Sequence, residues 1–452
     1  MGSERYPLQN KGIFRNLPSF DPNIKGLTAL VTGANGISGF HTMRALLESP
    51  QRWTKVWAAS RRPPPEEMMA LLTAEERSRV EHVACDFLAE PEVLARQLTD
   101  KGVTADYVFF CMSPERREDI TLTEVDSYAH PRPPEGQQIW SNAQELVDVN
   151  TSLIRNLTQA MDIANIVPKR FLLQTGAKNY GLHLGPTRTP HVESDPRVLL
   201  EPNFYYPQED VLQEYCAKHK IGWNVICPAW IIGATQNAAM NALHPFAVYA
   251  AVKQHRGEKL DFPGNAAAWL ENHEHSTAQL TGYLSEWAVL EDKCANQKFN
   301  AGDNSLLPNN RLWPELARWF GCKEVGLPES DDAKITTIPG GDKPTPIGYV
   351  SQPGFHFSFT MSHWAQQPEN VEAWKEIMKK HKLTHNPFDD PECWAFADVA
   401  AWGGRFQLST NKAQNFGYTG HVDTLQSLHR AYSEFNKIGM LPPMVADARP
   451  LQ

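Results

Sequence analysis

Three glycines at three-residue spacing, Gly33, Gly36 and Gly39, stand where the apolar run 27–32 gives way to an amphipathic segment, 40–47. The pattern predicts a strand, a tight turn and a helix. Glycine lets the chain bend sharply and lets a pyrophosphate approach the first helical turn, where open N–H groups and the helix dipole attract anionic oxygens. The spacing is GxxGxxG rather than the GxGxxG dinucleotide fingerprint, and the same residues would serve an ordinary strand-to-helix turn. A second apolar run, 55–59, ends in Ser60-Arg61-Arg62-Pro63. At that place in a dinucleotide fold an acidic residue binds a ribose 2′-hydroxyl, whereas a hydroxyl and two guanidiniums suit a 2′-phosphate. This selects NADP(H) over NAD(H). Asp86, at the end of the run 80–85, is placed to accept from an adenine amino group or to cap the helix that follows. Further on, Lys178 follows a predicted strand over 171–175, and Tyr205-Tyr206 opens a helix that continues through Glu214.

These residues need a frame that brings them to one edge. The run 107–111 is continuously apolar, as in a strand buried on both faces of a parallel sheet. Four strands alternating with helices, then a fifth over 171–175 and a sixth over 223–227, predict an α/β fold with a Rossmann-type, doubly wound parallel sheet. The polar, proline-dotted stretch 113–140 reads as a long loop at the carboxyl end of a strand, either a lid or a surface insertion. Helical periodicity returns over 143–164.

Composition narrows the function classes. A chain of 452 residues with 41% hydrophobic residues supports two or three domains and a sizeable core. A net charge of −9 and a pI near 6.0 argue against nucleic acid or an anionic membrane as partner. The seven cysteines have no CxxC spacing, which suits a reducing compartment. Residues 1–23 lack the apolar core of a signal peptide, and no run approaches membrane-spanning length. The expectation is a cytoplasmic protein without membrane insertion or lipid anchor. His273-Glu274-His275 reads as surface residues in a polar loop, and no metal site is expected. GxSxG, HExxH and P-loop lysine motifs are missing from the sequence, so hydrolase, zinc protease and NTPase readings lose support.

The blocks at 32–39, 61–63, 85–86 and 173–180, and Asn203-Phe204-Tyr205-Tyr206 with Glu209-Asp210, occur in the order of a known family. The chain resembles the progesterone 5β-reductase and iridoid synthase-like enone reductases, an atypical branch of the extended short-chain dehydrogenase/reductases. Phe262-Pro263-Gly264, Phe299-Asn300 and the block 396–399 carry the resemblance along nearly the whole chain. It implies a catalytic pair of Lys178 and Tyr206, the second tyrosine of its block. Asp210 stands where the superfamily's usual lysine would follow that tyrosine, so the lysine has moved to another loop.

The resemblance further implies cofactor contacts at Thr32, Gly33, Asn35, Gly36 and Ile37, then Ser60, Arg61 and Arg62. Asp86, Phe87, Cys111, Tyr206 and Ile232 complete that set. The expected substrate is an apolar small molecule of steroid, terpenoid or polyketide type, in a pocket that includes Met112, Trp230 and Phe396. As hydride reaches the β-carbon of an enone, charge builds on the carbonyl oxygen. Tyr206 would donate a hydrogen bond there, and Lys178 would strengthen it.

Ile226-Cys227-Pro228 departs from the family's His-Arg-Pro, and Cys111-Met112-Ser113 from its Thr-Trp pair. Carbonyl 1,2-reduction, redox-neutral cyclisation or isomerisation, and non-catalytic NADP(H) sensing stay as alternatives, and a homodimer is admitted. A Rossmann domain is expected over 24–235 and a mainly helical substrate lobe over 236–452, with part of 276–303 returning to the first domain.

Overall fold

The computed structural model describes residues 6–112, 143–236, 241, 243–351, 354–402 and 406–451. The stretch 113–140, read as a lid or an insertion, lies outside the described residues.

The apolar runs form seven parallel strands: β1 (Leu27–Thr32), β2 (Trp53–Ser60), β3 (Val80–Ala84), β4 (Tyr107–Phe110), β5 (Arg170–Gln174), β6 (Gly222–Cys227) and β7 (Gln297–Asn300). Their order across the sheet is 3-2-1-4-5-6-7. The side-chain period of two divides each central strand between two apolar layers. Val31, Phe109, Leu172 and Ile226 face one core, and Leu30, Phe110, Phe171 and Val225 the other. Both faces must therefore be covered, by α1 (Ile37–Leu47), α2 (Pro91–Asp100), α3 (Ala143–Ile163) and α4 (Tyr205–His219) among others. After β3 the chain returns past β1 to β4. Strand order reverses there, and a crevice opens at the carboxyl ends of the strands.

The C-terminal half does not fold apart from this sheet. After α5 (His244–His255), α6 (Ala278–Leu290) is buried from Ala278 to Val289 and crosses α1 closely. A Cβ on Gly282 would stand 2.8 Å from the Ala45 side chain, so only glycine allows the crossing. The helix then delivers the chain to β7. Helices α7 (Asn309–Phe320), α8 (Pro368–His381), α9 (Pro391–Trp402) and α10 (Thr424–Lys437) join α5 around a separate apolar core containing Trp313, Trp319, Trp374 and Trp394.

A buried ion pair ties this lobe back to α1. Glu434 on α10 accepts from both terminal nitrogens of Arg44, at 2.8 Å each. Burial alone would push the Glu434 carboxyl up, but the bonds and charge of Arg44 outweigh it and hold it at about 2.

The N-terminal segment contains paired strands at Gln9–Lys11 and Phe14–Leu17, because Phe14 and Leu17 bury themselves in the core around α1. All seven cysteines are thiols. Among the described residues no helix is long and apolar enough to cross a membrane.

Candidate active site

The glycine turn is a cradle from which side chains are excluded. Gly33 has φ +62°, and a Cβ there would lie 2.5 Å from the Cys111 carbonyl oxygen at the end of β4. On Gly39 a Cβ would lie 2.2 Å from the Gly33 carbonyl oxygen. Gly36 caps α1 with extended backbone and no side-chain bond, and the first turn of the helix carries no acidic residue. Its N–H groups are thus left to an incoming anion.

Asn35 straps this turn to the end of β2. Its Nδ2 donates to the Arg62 carbonyl at 2.8 Å, and its Oδ1 accepts from the Ser60 hydroxyl at 3.3 Å. Thr32 Oγ1 accepts from the Cys111 N–H at 3.3 Å, joining the ends of β1 and β4. Ile37 packs beside Gly233, and Ile232 is buried in a short parallel pairing with residues 276–277.

Two residues expected at the cofactor have buried side chains. Ser60 is 4% exposed and donates to the Arg62 carbonyl at 2.7 Å, so its hydroxyl shapes the loop, in which Arg61 is half-buried and Arg62 exposed. Phe87 is 3% exposed and belongs to the apolar cluster that includes Leu94 and Leu98. Asp86 accepts from the Leu88 N–H at 3.1 Å and forms the turn into α2.

Next to this cradle, β5 ends at Gln174, which donates to the Ser38 hydroxyl on α1. Thr175-Gly176 then leads into a short 3-10 turn, Ala177–Tyr180, that carries Lys178. The Lys178 side chain is largely buried, with Nζ 5.3 Å from the Phe204 ring centroid. Burial lowers its pKa to about 8, while the Glu201 carboxylate works in the opposite direction. His183 lies 2.7 Å from Glu201 and is held neutral, at about 3, by burial and by the Lys178 charge.

The two tyrosines of the block are placed differently. The Tyr206 hydroxyl is committed to backbone: it donates to the Asn179 carbonyl at 2.7 Å and accepts from the Val198 N–H at 2.8 Å. The Arg197 guanidinium covers its ring at 5.1 Å. Tyr205 points elsewhere. A Cβ on Gly176 would lie 2.6 Å from the Tyr205 hydroxyl, so the missing side chain of Gly176 is what admits the phenol to the sheet edge. Among the described residues that hydroxyl has no hydrogen-bond partner, and burial raises its pKa. The Tyr205 ring packs on Phe204 at 4.4 Å, and the Lys178 ammonium lies 5.3 Å from the same Phe204 ring. Consecutive helical residues point about 100° apart, so only one of the two phenols can face this edge.

The expected pocket aromatics do meet. The rings of Trp230 and Phe396 are 5.4 Å apart, and Trp230 takes φ +42°, a costly conformation for a bulky residue. Met112 is half-buried against the sheet core and is the last described residue before 113.

His273, Glu274 and His275 are not surface residues; all three are buried. The segment around 406–408 covers them, and the Leu408 N–H donates to Glu274 Oε2 at 3.0 Å. Burial pushes Glu274 up to about 7 and keeps both histidines neutral. Among the described residues no cluster of three or more His, Cys, Asp or Glu could hold a metal ion.

Comparison with known proteins finds relatives along most of the chain. The family model described as a PRISE-like Rossmann-fold domain matches residues 138–339. A short chain dehydrogenase of Penicillium aethiopicum, gsfE, is 28% identical over 428 residues, covering 92% of this chain and 99% of its own. A 3-oxo-Delta(4,5)-steroid 5-beta-reductase of Arabidopsis thaliana is 25% identical, covering 92% and 93%. An (S)-8-oxocitronellyl enol synthase of Camptotheca acuminata, CYC2, is 30% identical over 307 residues, covering 64% of this chain and 70% of its own.

Proposed function

This chain belongs to the PRISE-like Rossmann-fold family, and on that premise we propose that it is an NADPH-dependent reductase acting on the activated C=C of an apolar enone. The observation that carries the reading is the Tyr205 hydroxyl, without a partner over Gly176, on the same sheet edge as Lys178 and the glycine turn. Relatives named as a steroid 5-beta-reductase and an oxocitronellyl enol synthase support an apolar carbonyl substrate.

The residues present fit a dinucleotide. The uncapped start of α1 and the glycine cradle would hold the pyrophosphate, and Arg61 and Arg62 the 2′-phosphate. Bound there, the reduced nicotinamide supplies a hydride.

Tyr205 supplies the electrophilic assistance. Its O–H donates to the substrate carbonyl oxygen, and this bond strengthens as negative charge develops on that oxygen. A neutral, buried phenol suits donation, and the raised pKa of Tyr205 keeps it protonated. Lys178 adds positive potential in a site that burial has already made poor in solvent. Trp230 and Phe396 form an apolar wall for the substrate skeleton. The α-carbon then takes its proton from water.

An NADPH-oxidation assay over cyclic and linear enones and simple ketones, with product analysis, tests this. Saturated ketones are the expected products. Tight NADPH binding without consumption by any of these compounds would favour a sensor instead.

A further inference from the structure

Every third residue from Asn203 takes hold of the loop that carries Lys178. Asn203 Nδ2 donates to the Lys178 carbonyl at 2.9 Å. The Tyr206 hydroxyl donates to the Asn179 carbonyl at 2.7 Å, and Glu209 Oε1 accepts from Asn179 Nδ2 at 2.7 Å. Asn203 lies just before α4, and Tyr206 and Glu209, three apart within it, share one helical face.

The last contact is ionic. Lys298, on β7, places Nζ 2.6 Å from Asn179 Oδ1 and 3.2 Å from Glu209 Oε1. The Asn179 amide is thus gripped at both ends, its oxygen by a cation and its nitrogen by a carboxylate, which fixes which end is which. Arg197 approaches the other Glu209 oxygen at 3.4 Å. Glu209 is 7% exposed, and the Lys298 side chain is largely buried. Removing such a pair from water costs much of what its attraction returns, so fold stability alone gives little reason for it.

We propose that Glu209, acting with Lys298 through Asn179, is the positioning element of the active-site lysine. The proposal rests on the assignment of Lys178 to the site. With the side chain and the carbonyl of Asn179 both held, the residue after Lys178 cannot rotate. The Lys178 ammonium is kept against the Phe204 ring, facing Glu201 and His183, and cannot swing into water. Removing the grip at Asn179 frees the loop without touching any group that faces the ammonium.

The test reads Lys178 directly. Lysines carrying ¹³C-methyl groups from reductive methylation are titrated by NMR, with the Lys178 signal assigned from Lys178→Arg. In the wild type the expected titration is near 8, below the ordinary lysine value because the ammonium is buried. In Glu209→Ala and in Asn179→Ala it shifts up toward the ordinary lysine value of about 10.4, while Glu209→Gln, which keeps an acceptor for Asn179, shifts less. An unshifted titration in folded Asn179→Ala would overturn the proposal, and that variant carries the test if Glu209→Ala does not fold.

In enone turnover, Glu209→Ala should lower kcat roughly ten- to a hundredfold in the wild-type background. In a Lys178→Met background it should have no further effect. Additive losses would overturn the positioning role. Full turnover by Lys178→Met alone would instead overturn the functional reading, while the titration still decides the positioning.

Discussion

The phenol of Tyr206 and the main-chain carbonyl of Asn179 are joined by a 2.7 Å hydrogen bond. A second bond, from the Val198 N–H at 2.8 Å, occupies the same oxygen. Between them they make Tyr206 a brace between two loops, and the proposed chemistry falls to its neighbour Tyr205.

Replacing the two tyrosines should therefore separate two effects. Tyr205→Phe should lower turnover roughly a hundredfold or more, with NADPH affinity and stability nearly unchanged. Tyr206→Phe strands a buried N–H and a buried C=O and should lose about 1–3 kcal/mol in urea denaturation, with a smaller loss of turnover. The opposite pattern, with Tyr206→Phe abolishing turnover and Tyr205→Phe leaving it intact, would restore the pairing first expected from the sequence.

The role proposed for Lys178 predicts an upper pH limit for the reaction. Burial lowers its pKa to about 8, so its charge, and the assistance that charge gives to Tyr205, is lost as pH rises through that value. A profile of kcat against pH should fall above about 8 in the wild type and be flat there, at a lower level, in Lys178→Met.

Arg61 and Arg62 should discriminate between cofactors. Replacing both with alanine should weaken NADPH by roughly tenfold or more in fluorescence titration and leave NADH nearly unaffected. Equal losses would mean that these guanidiniums do not meet the 2′-phosphate.

Glu274 predicts a pH dependence of stability. Its folded-state pKa, about 7, lies above an unfolded value near 4.3, so the folded state holds a proton that the unfolded chain has released. Its contribution is complete below about pH 4 and is lost as pH rises through the window from about 4 to about 7. Glu274→Gln, which keeps an acceptor for the Leu408 N–H, should remove this slope and stabilise the protein at pH 8 by on the order of 1–3 kcal/mol. Asp303, also raised to about 7 by burial, contributes a slope of the same sign that survives the substitution.

The parts of the fold set by local pattern were legible in the sequence. Strands buried on both faces read as continuous apolar runs, and the glycines mark a turn whose close approach to Cys111 excludes a Cβ. Lys178 was placed correctly at the sheet edge because it follows a strand end. Choosing between Tyr205 and Tyr206 was beyond the sequence, since the choice depends on how α4 is rotated against Gly176. Burial of His273, Glu274 and His275 depends on the segment around Phe406 to Leu408, more than a hundred residues away, as the Arg44–Glu434 pair depends on α10 docking on α1. Contacts of that separation leave no periodic trace. The burial of Ser60 and Phe87 was hidden for a related reason: a position at a strand end does not say whether the side chain turns outward or back into the loop.

The fate of a deuterium label tests the site assignment most directly. NADPH carrying deuterium at the transferable C4 position is incubated with cyclic and linear enones, and the products are read by mass spectrometry and NMR. The wild type should place deuterium on the β-carbon of a saturated ketone, and Tyr205→Phe should bind the labelled cofactor but transfer almost none of it. Deuterium on the carbonyl carbon, or undiminished transfer by Tyr205→Phe, would contradict enone reduction directed by Tyr205.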